Sequence, residues 1–131
     1  HLVSRMMCDD INLGAAAMGR LDRILSVSGL HDLRPLQGLA KNELWRLDDK
    51  ESRAESPLLR TPRPGIDLVC LAGADERPEF IRQNAILPLA WQGLGANCHL
   101  QLLAGHNHFT IIETMTQPNS RLCELVDGPL A

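Results

Sequence analysis

With 131 residues, 44% of them apolar and 22% charged, the chain has the size and composition of one globular domain, unlike a disordered or fibrous polypeptide. A formal charge of −3 without a basic stripe argues against a phosphate-backbone partner, and the lack of tyrosine, with two Phe and two Trp, removes the aromatic platform that base stacking requires. No apolar run approaches the roughly 20 residues of a membrane span and no secretory leader opens the sequence, so the expected setting is cytoplasmic, with neither nucleic acid nor membrane as partner.

The first predicted element is a helix over His1–Cys8, where Leu2, Val3, Met6 and Met7 recur at helical spacing. No capping residue precedes it, and the expectation is a chain that begins inside a helix, as a truncated polypeptide would. Arg23–Gly29 (RILSVSG) reads as a short buried strand, left by the loop Leu30–Leu36. Lys41–Leu47 is helix-like, and Asp48 or Asp49 can cap a second helix that runs toward Glu55 and stops at Ser56-Pro57. Pro62 and Pro64 make the segment from Leu59 to Gly65 an extended connection into a second strand, Ile66–Ala72.

Pro78 suits the first turn of a long helix whose apolar face is expected to be Ile81, Ala85 and Leu89, ended by Gly93 and Gly95. Pro88 inside it predicts a kink or an early break. A third strand over Asn97–Ala104, a short helix over Phe109–Met115 and a last helix capped by Ser120 complete the chain. Strands and helices that alternate in this way call for an α/β fold, a parallel sheet covered by helices on both faces, with ligands at the carboxyl ends of the strands.

Two segments bring chemistry to that edge. Gly105-His106-Asn107-His108-Phe109 follows the third strand, and an imidazole at such a junction is a candidate proton carrier near neutral pH. Gly73-Ala74-Asp75-Glu76 follows the second strand and offers an acid, although carboxylates also favour a helix start for electrostatic reasons alone. His106 and His108 could form a metal pair, but no third ligand is apparent, and Cys8, Cys70, Cys98 and Cys123 lack zinc-site spacing, so no metal or other cofactor is expected. Ser26, Ser28 and Ser56 do not sit in a glycine-flanked elbow and read as structural. Ser28, with His31 and Asp32, ends a strand at the ligand-facing edge and is a candidate pocket lining. Trp91 reads as core, and Trp45 as a candidate aromatic wall for substrate.

The stretches Ser28–Leu36 (SGLHDLRPL), Glu55-Ser56-Pro57, Gly73–Gln83 (GADERPEFIRQ) and Gly105–Thr110 (GHNHFT) resemble, in that order, the second half of an α/β-hydrolase of the branch containing kynurenine formamidase and small carboxylesterases. The resemblance implies a partial α/β-hydrolase fold over residues 1–131, with three C-terminal strands and a cap-like insertion near 37–58. It implies His108 as the catalytic base and Glu76 as its acid, with Asp75 the close rival. The family's nucleophile lies in a Gly-His-Ser-Ala-Gly-Gly-His-Leu type elbow. His1-Leu2-Val3 resembles the part of that elbow just after its glycines, which puts the expected serine four residues before the first residue, and no G-x-S-x-G occurs within the chain.

The expectation is therefore the C-terminal portion of a serine hydrolase acting on a small ester or N-formyl amide, inactive alone and completed by its N-terminal half. The alternative is a noncatalytic module that associates with itself through the open edge of the Arg23 strand. On either reading a homo-oligomer or a larger assembly is expected.

Overall fold

The computed structural model describes residues 1–129, apart from the side chain of Asp127. Its centre is β2, Asp67–Gly73, the most continuously apolar stretch of the chain, in which Leu68, Val69, Cys70, Leu71 and Ala72 are all fully buried. A strand buried on both faces needs neighbours on both edges and helices above and below. β1, Arg23–Val27, lies on one side with Ile24 opposite Leu68, and β3, Cys98–Leu103, on the other with Leu68 opposite Cys98. The order is β1-β2-β3 and every pairing is parallel. All three carboxyl ends therefore share one edge.

Parallel pairing requires crossovers. The first runs through α3, Asn42–Trp45, and α4, Asp49–Glu55, and the second is α5, Pro78–Gln92. Before the sheet come α1, Leu2–Met6, and α2, Ala15–Met18; after it come α6, Thr110–Glu113, and α7, Arg121–Asp127. The caps are those that the sequence suggests: Asp48 accepts from the Glu51 N–H at 2.7 Å and Ser120 from the Cys123 N–H at 3.3 Å.

The two faces of β2 follow its period of two. Leu68 and Cys70 join Met7, Cys8, Ile24, Leu87, Trp91 and Cys98 in one core, beneath α1 and α5. Val69 and Leu71 join Ile111, Leu122 and Leu125 in the other, beneath α6 and α7. Trp91 is fully buried as expected and donates its indole N–H to the Arg60 carbonyl at 3.0 Å.

The early break that Pro88 could have caused in α5 does not occur: the helix runs through it to Gln92, ending in a turn at Gly93. Its inward face is Gln83, Asn84, Leu87, Pro88 and Trp91, whereas Leu89 is 71% exposed. The inner face begins with two amides because the loop after β1 presents unpaired backbone groups there, a demand that hydropathy spacing does not register. No helix among the described residues is long and apolar enough to cross a membrane.

Candidate active site

The site is assembled where the loops after β2 and β3 cross. At Gly73 a Cβ would stand 2.1 Å from the His106 carbonyl oxygen and 3.2 Å from the Asn107 nitrogen, so only glycine lets the second loop pass so close. Two backbone bonds join the loops there, from Ala74 N–H to the Leu103 carbonyl (2.9 Å) and from Asp75 N–H to the His106 carbonyl (3.0 Å). Gly105 makes the turn possible with φ of 76°. Beyond it the Asn107 side chain accepts from the Phe109 and Thr110 N–H groups (2.9 and 3.1 Å), and Thr110 Oγ1 accepts from the Asn107 N–H (2.9 Å). His108 is thus carried on a loop braced at both ends.

The turn after β2 closes through Glu76 N–H to the Gly73 carbonyl at 3.2 Å and sends the Glu76 side chain inward, where it is fully buried. Its two oxygens have different partners. Oε1 accepts from the Gly73 N–H (2.9 Å) and the Ser28 hydroxyl (2.5 Å), while Oε2 lies 2.8 Å from His108 Nδ1. A carboxylate only accepts, so Nδ1–H is the donor in this contact, and in a neutral ring Nε2 then keeps its lone pair. Among the described residues no protein group bonds to Nε2, and the side chain is 41% exposed. The ring leans on Phe80 with centroids 4.2 Å apart and meets the edge of Phe109 at 5.6 Å. An oriented, part-exposed imidazole with its second nitrogen unbonded is equipped to move a proton.

Of the acidic doublet, only Glu76 reaches His108; Asp75 is exposed, and its backbone is what ties the loops together. Ser28 lies at the edge as expected but does not line an open pocket: it is buried, and its hydroxyl serves Glu76. His31 is fully buried, with Nδ1 at 3.1 Å from Ser4 Oγ and Nε2 at 3.5 Å from Ser26 Oγ and 3.7 Å from Cys70 Sγ. Burial pushes its pKa down to about 3, so it is a neutral core residue and not part of an open surface. Asp32 is also buried, and the Arg34 guanidinium that grips it holds its carboxyl below the usual range. Trp45 is half exposed on α3, and no bond or ring contact links it to Glu76 or His108.

Hydropathy reasoning missed Gln83 and Asn84. Gln83 Oε1 accepts from the His31 and Asp32 N–H groups (2.8 and 2.7 Å) and its amide donates to the Asp32 carbonyl (2.8 Å). Asn84 brackets Gly29 in the same manner, at 3.3 and 3.2 Å. The signal available in the sequence was an adjacent pair of amides inside a predicted helix with one apolar face. Two surface clefts open at the opposite edge of the sheet, around Met18, Asp22 and Arg63 and around Pro62, Leu94 and Ala96, and neither contains the Glu76–His108 pair. Among the described residues no three His, Cys, Asp or Glu side chains converge as a metal site.

No family model matches the chain. Its sequence is 25% identical over 105 residues to a kynurenine formamidase of Danio rerio, a match covering 76% of this chain and 36% of that protein. A crystal structure from Silicibacter sp. TM1040, provisionally described as a thioesterase, superposes with a TM-score of 0.86 at 32% identity, over 96% of this chain and 46% of the other. The chain carries part of an α/β-hydrolase fold. A thermophilic esterase of Thermogutta terrifontis, solved with propionate, shares that α/β-hydrolase fold at a TM-score of 0.62 and 14% identity, over 94% of this chain and 48% of the other. The chain spans just over a third of the matched formamidase and just under half of each of these two structures.

Proposed function

We propose that this α/β-hydrolase chain supplies the base, His108, and the orienting acid, Glu76, of a serine hydrolase that cleaves small carboxylic esters or N-formyl amides. The observation that carries this reading is the 2.8 Å contact between His108 Nδ1 and a fully buried Glu76 carboxylate, in an imidazole that is 41% exposed and has no described protein group bonded to Nε2. Likeness to a formamidase and to a protein described as a thioesterase supports acyl transfer as the chemistry.

In this mechanism a serine hydroxyl gives its proton to Nε2 as its oxygen bonds to the substrate carbonyl carbon. The imidazolium is stabilised through Nδ1–H by Glu76, and Nε2–H then protonates the leaving alcohol or amine as its bond to carbon breaks. Water repeats the sequence to free the acid. The 131 residues contain no G-x-S-x-G, and in this mechanism the nucleophile and the N–H groups that hold the oxyanion come from sequence outside them. Phe109, 77% exposed beside the imidazole, offers an apolar flank for an acyl or aryl group.

The test is hydrolysis of p-nitrophenyl acetate and an N-formyl arylamide. A polypeptide extended upstream to include a G-x-S-x-G segment should turn them over, and the 131 residues alone should not. In the extended enzyme His108→Ala and Glu76→Gln should each lower kcat by roughly 10²–10⁴-fold, and Asp75→Asn should not. Turnover by the 131 residues that vanishes on His108→Ala would defeat the external nucleophile, and equal damage from Asp75→Asn would remove Glu76 as the acid.

The outer edges of β1 and β3, which have no strand partner among the described residues, favour a second reading, a noncatalytic module that self-associates through its half-sheet. Leu100 and Leu102 on β3 are 41% and 43% exposed. A stable monomer in sedimentation velocity at 100 μM, about a hundred times the concentration at which a micromolar association would appear, ends this reading.

A further inference from the structure

We propose that Ser28 is a positioning residue for the Glu76–His108 pair, its hydroxyl holding the buried carboxylate in the rotation that presents Oε2 to the imidazole. This inference rests on the proposed roles of Glu76 and His108. Oε1 has two donors of unlike origin: the Gly73 N–H comes from the end of the acid's own strand, three residues before it, whereas Ser28 comes from the end of the neighbouring strand. The Gly73 bond alone leaves the carboxylate free to rotate about a single anchor, and the Ser28 hydroxyl adds the second anchor, from β1, that fixes the rotation.

The backbone at Ser28 supplies an independent argument. Its φ is 50°, in the left-handed region that glycine enters freely and serine enters at a cost of about 1 kcal/mol. Glycine would suit this position better on conformational grounds, but it has no hydroxyl. The strained conformation is held from both sides, by Ser28 N–H bonding to the Leu71 carbonyl at 2.7 Å and by Asn84 bracketing Gly29. Gly29 in turn has no room for a side chain, since a Cβ there would stand 2.3 Å from Ser26 Oγ and 2.6 Å from the His31 ring. The braced turn aims the Ser28 hydroxyl at the acid.

Ser28→Gly separates the two functions of the residue, because it keeps the backbone conformation and deletes the hydroxyl. The readout is the tautomer of His108 in the ¹⁵N-labelled chain at neutral pH, from long-range ¹H–¹⁵N correlation, with the signal assigned by its loss in His108→Gln. In the unmodified chain the proton should reside on Nδ1. In Ser28→Gly the population should shift toward the Nε2–H form that an unconstrained imidazole prefers, and Ser28→Ala should shift it likewise. Ser26→Ala, which removes a hydroxyl of the same strand that faces His31, should leave the tautomer unchanged.

A fully retained Nδ1–H tautomer in both Ser28 variants, or an equal shift in Ser26→Ala, overturns the positioning role. An Nε2–H tautomer in the unmodified chain would instead remove the Glu76–His108 bond itself, and with it the proposed function. In the extended enzyme Ser28→Gly should lower kcat about 10-fold with KM unchanged, the scale typical of partners that orient an active-site group.

Discussion

Gly73 shows how one residue decides whether the site can form. Its N–H holds Glu76, its carbonyl closes the turn that sends Glu76 inward, and its missing side chain lets the His106 carbonyl cross above it. Gly73→Ala should lower stability by about 1–3 kcal/mol in urea titration, because the methyl group must displace backbone on a loop braced at both ends. The same turn explains why the acidic doublet could not be resolved from sequence. Asp75 and Glu76 are adjacent, both ionisable and both suited to a helix start, and the preference for Glu76 came from a resemblance. The 3.2 Å closure from Glu76 N–H to Gly73 directs one carboxylate into the protein and leaves the other outside.

At the scale of the element, α5 connects the site to the loop after β1. Its start at Pro78 and its stop at Gly93 were legible, because proline and glycine act locally. Its buried face was not, because Gln83 and Asn84 are inward for what they bond and not for their hydropathy. Gln83→Ala would strand the His31 and Asp32 N–H groups in a dry environment. Each unsatisfied buried donor costs about 1–3 kcal/mol, so a loss of roughly 2–4 kcal/mol is expected by urea titration. Gln83→Glu should recover part of this, since both N–H groups bond to the oxygen. Pro88 at the buried centre of α5 is tolerated because a proline removes a single N–H from a helix anchored on both sides of it, by Asn84 and by Trp91.

For the whole molecule, His31 links folding to pH. Its folded-state pKa, pushed down by burial from 6.5 to about 3, means that the unfolded chain binds the proton first. The stability associated with neutral His31 is complete above about pH 6.5 and is lost as pH falls toward 3. By pH 4.5 the loss should be about 2–3 kcal/mol, on the scale of about 1.4 kcal/mol per pH unit. Urea midpoints at pH 7 and pH 4.5 check this, and a chain carrying His31→Gln should lose less over the same interval.

The features that the residues determine by themselves in this protein are those that act over short range. The unbroken apolar run of β2, the alternation of strands with capped helices, and the placing of a histidine and an acidic doublet after parallel strands all arise from local periodicity and capping. Tertiary structure alone decided that Glu76 and not Asp75 meets His108, that Ser28 faces the acid, that His31 is core and that α5 buries its amides. Each of these depends on where the backbone groups of a distant segment fall, and a buried polar group takes its position from the partner that satisfies it.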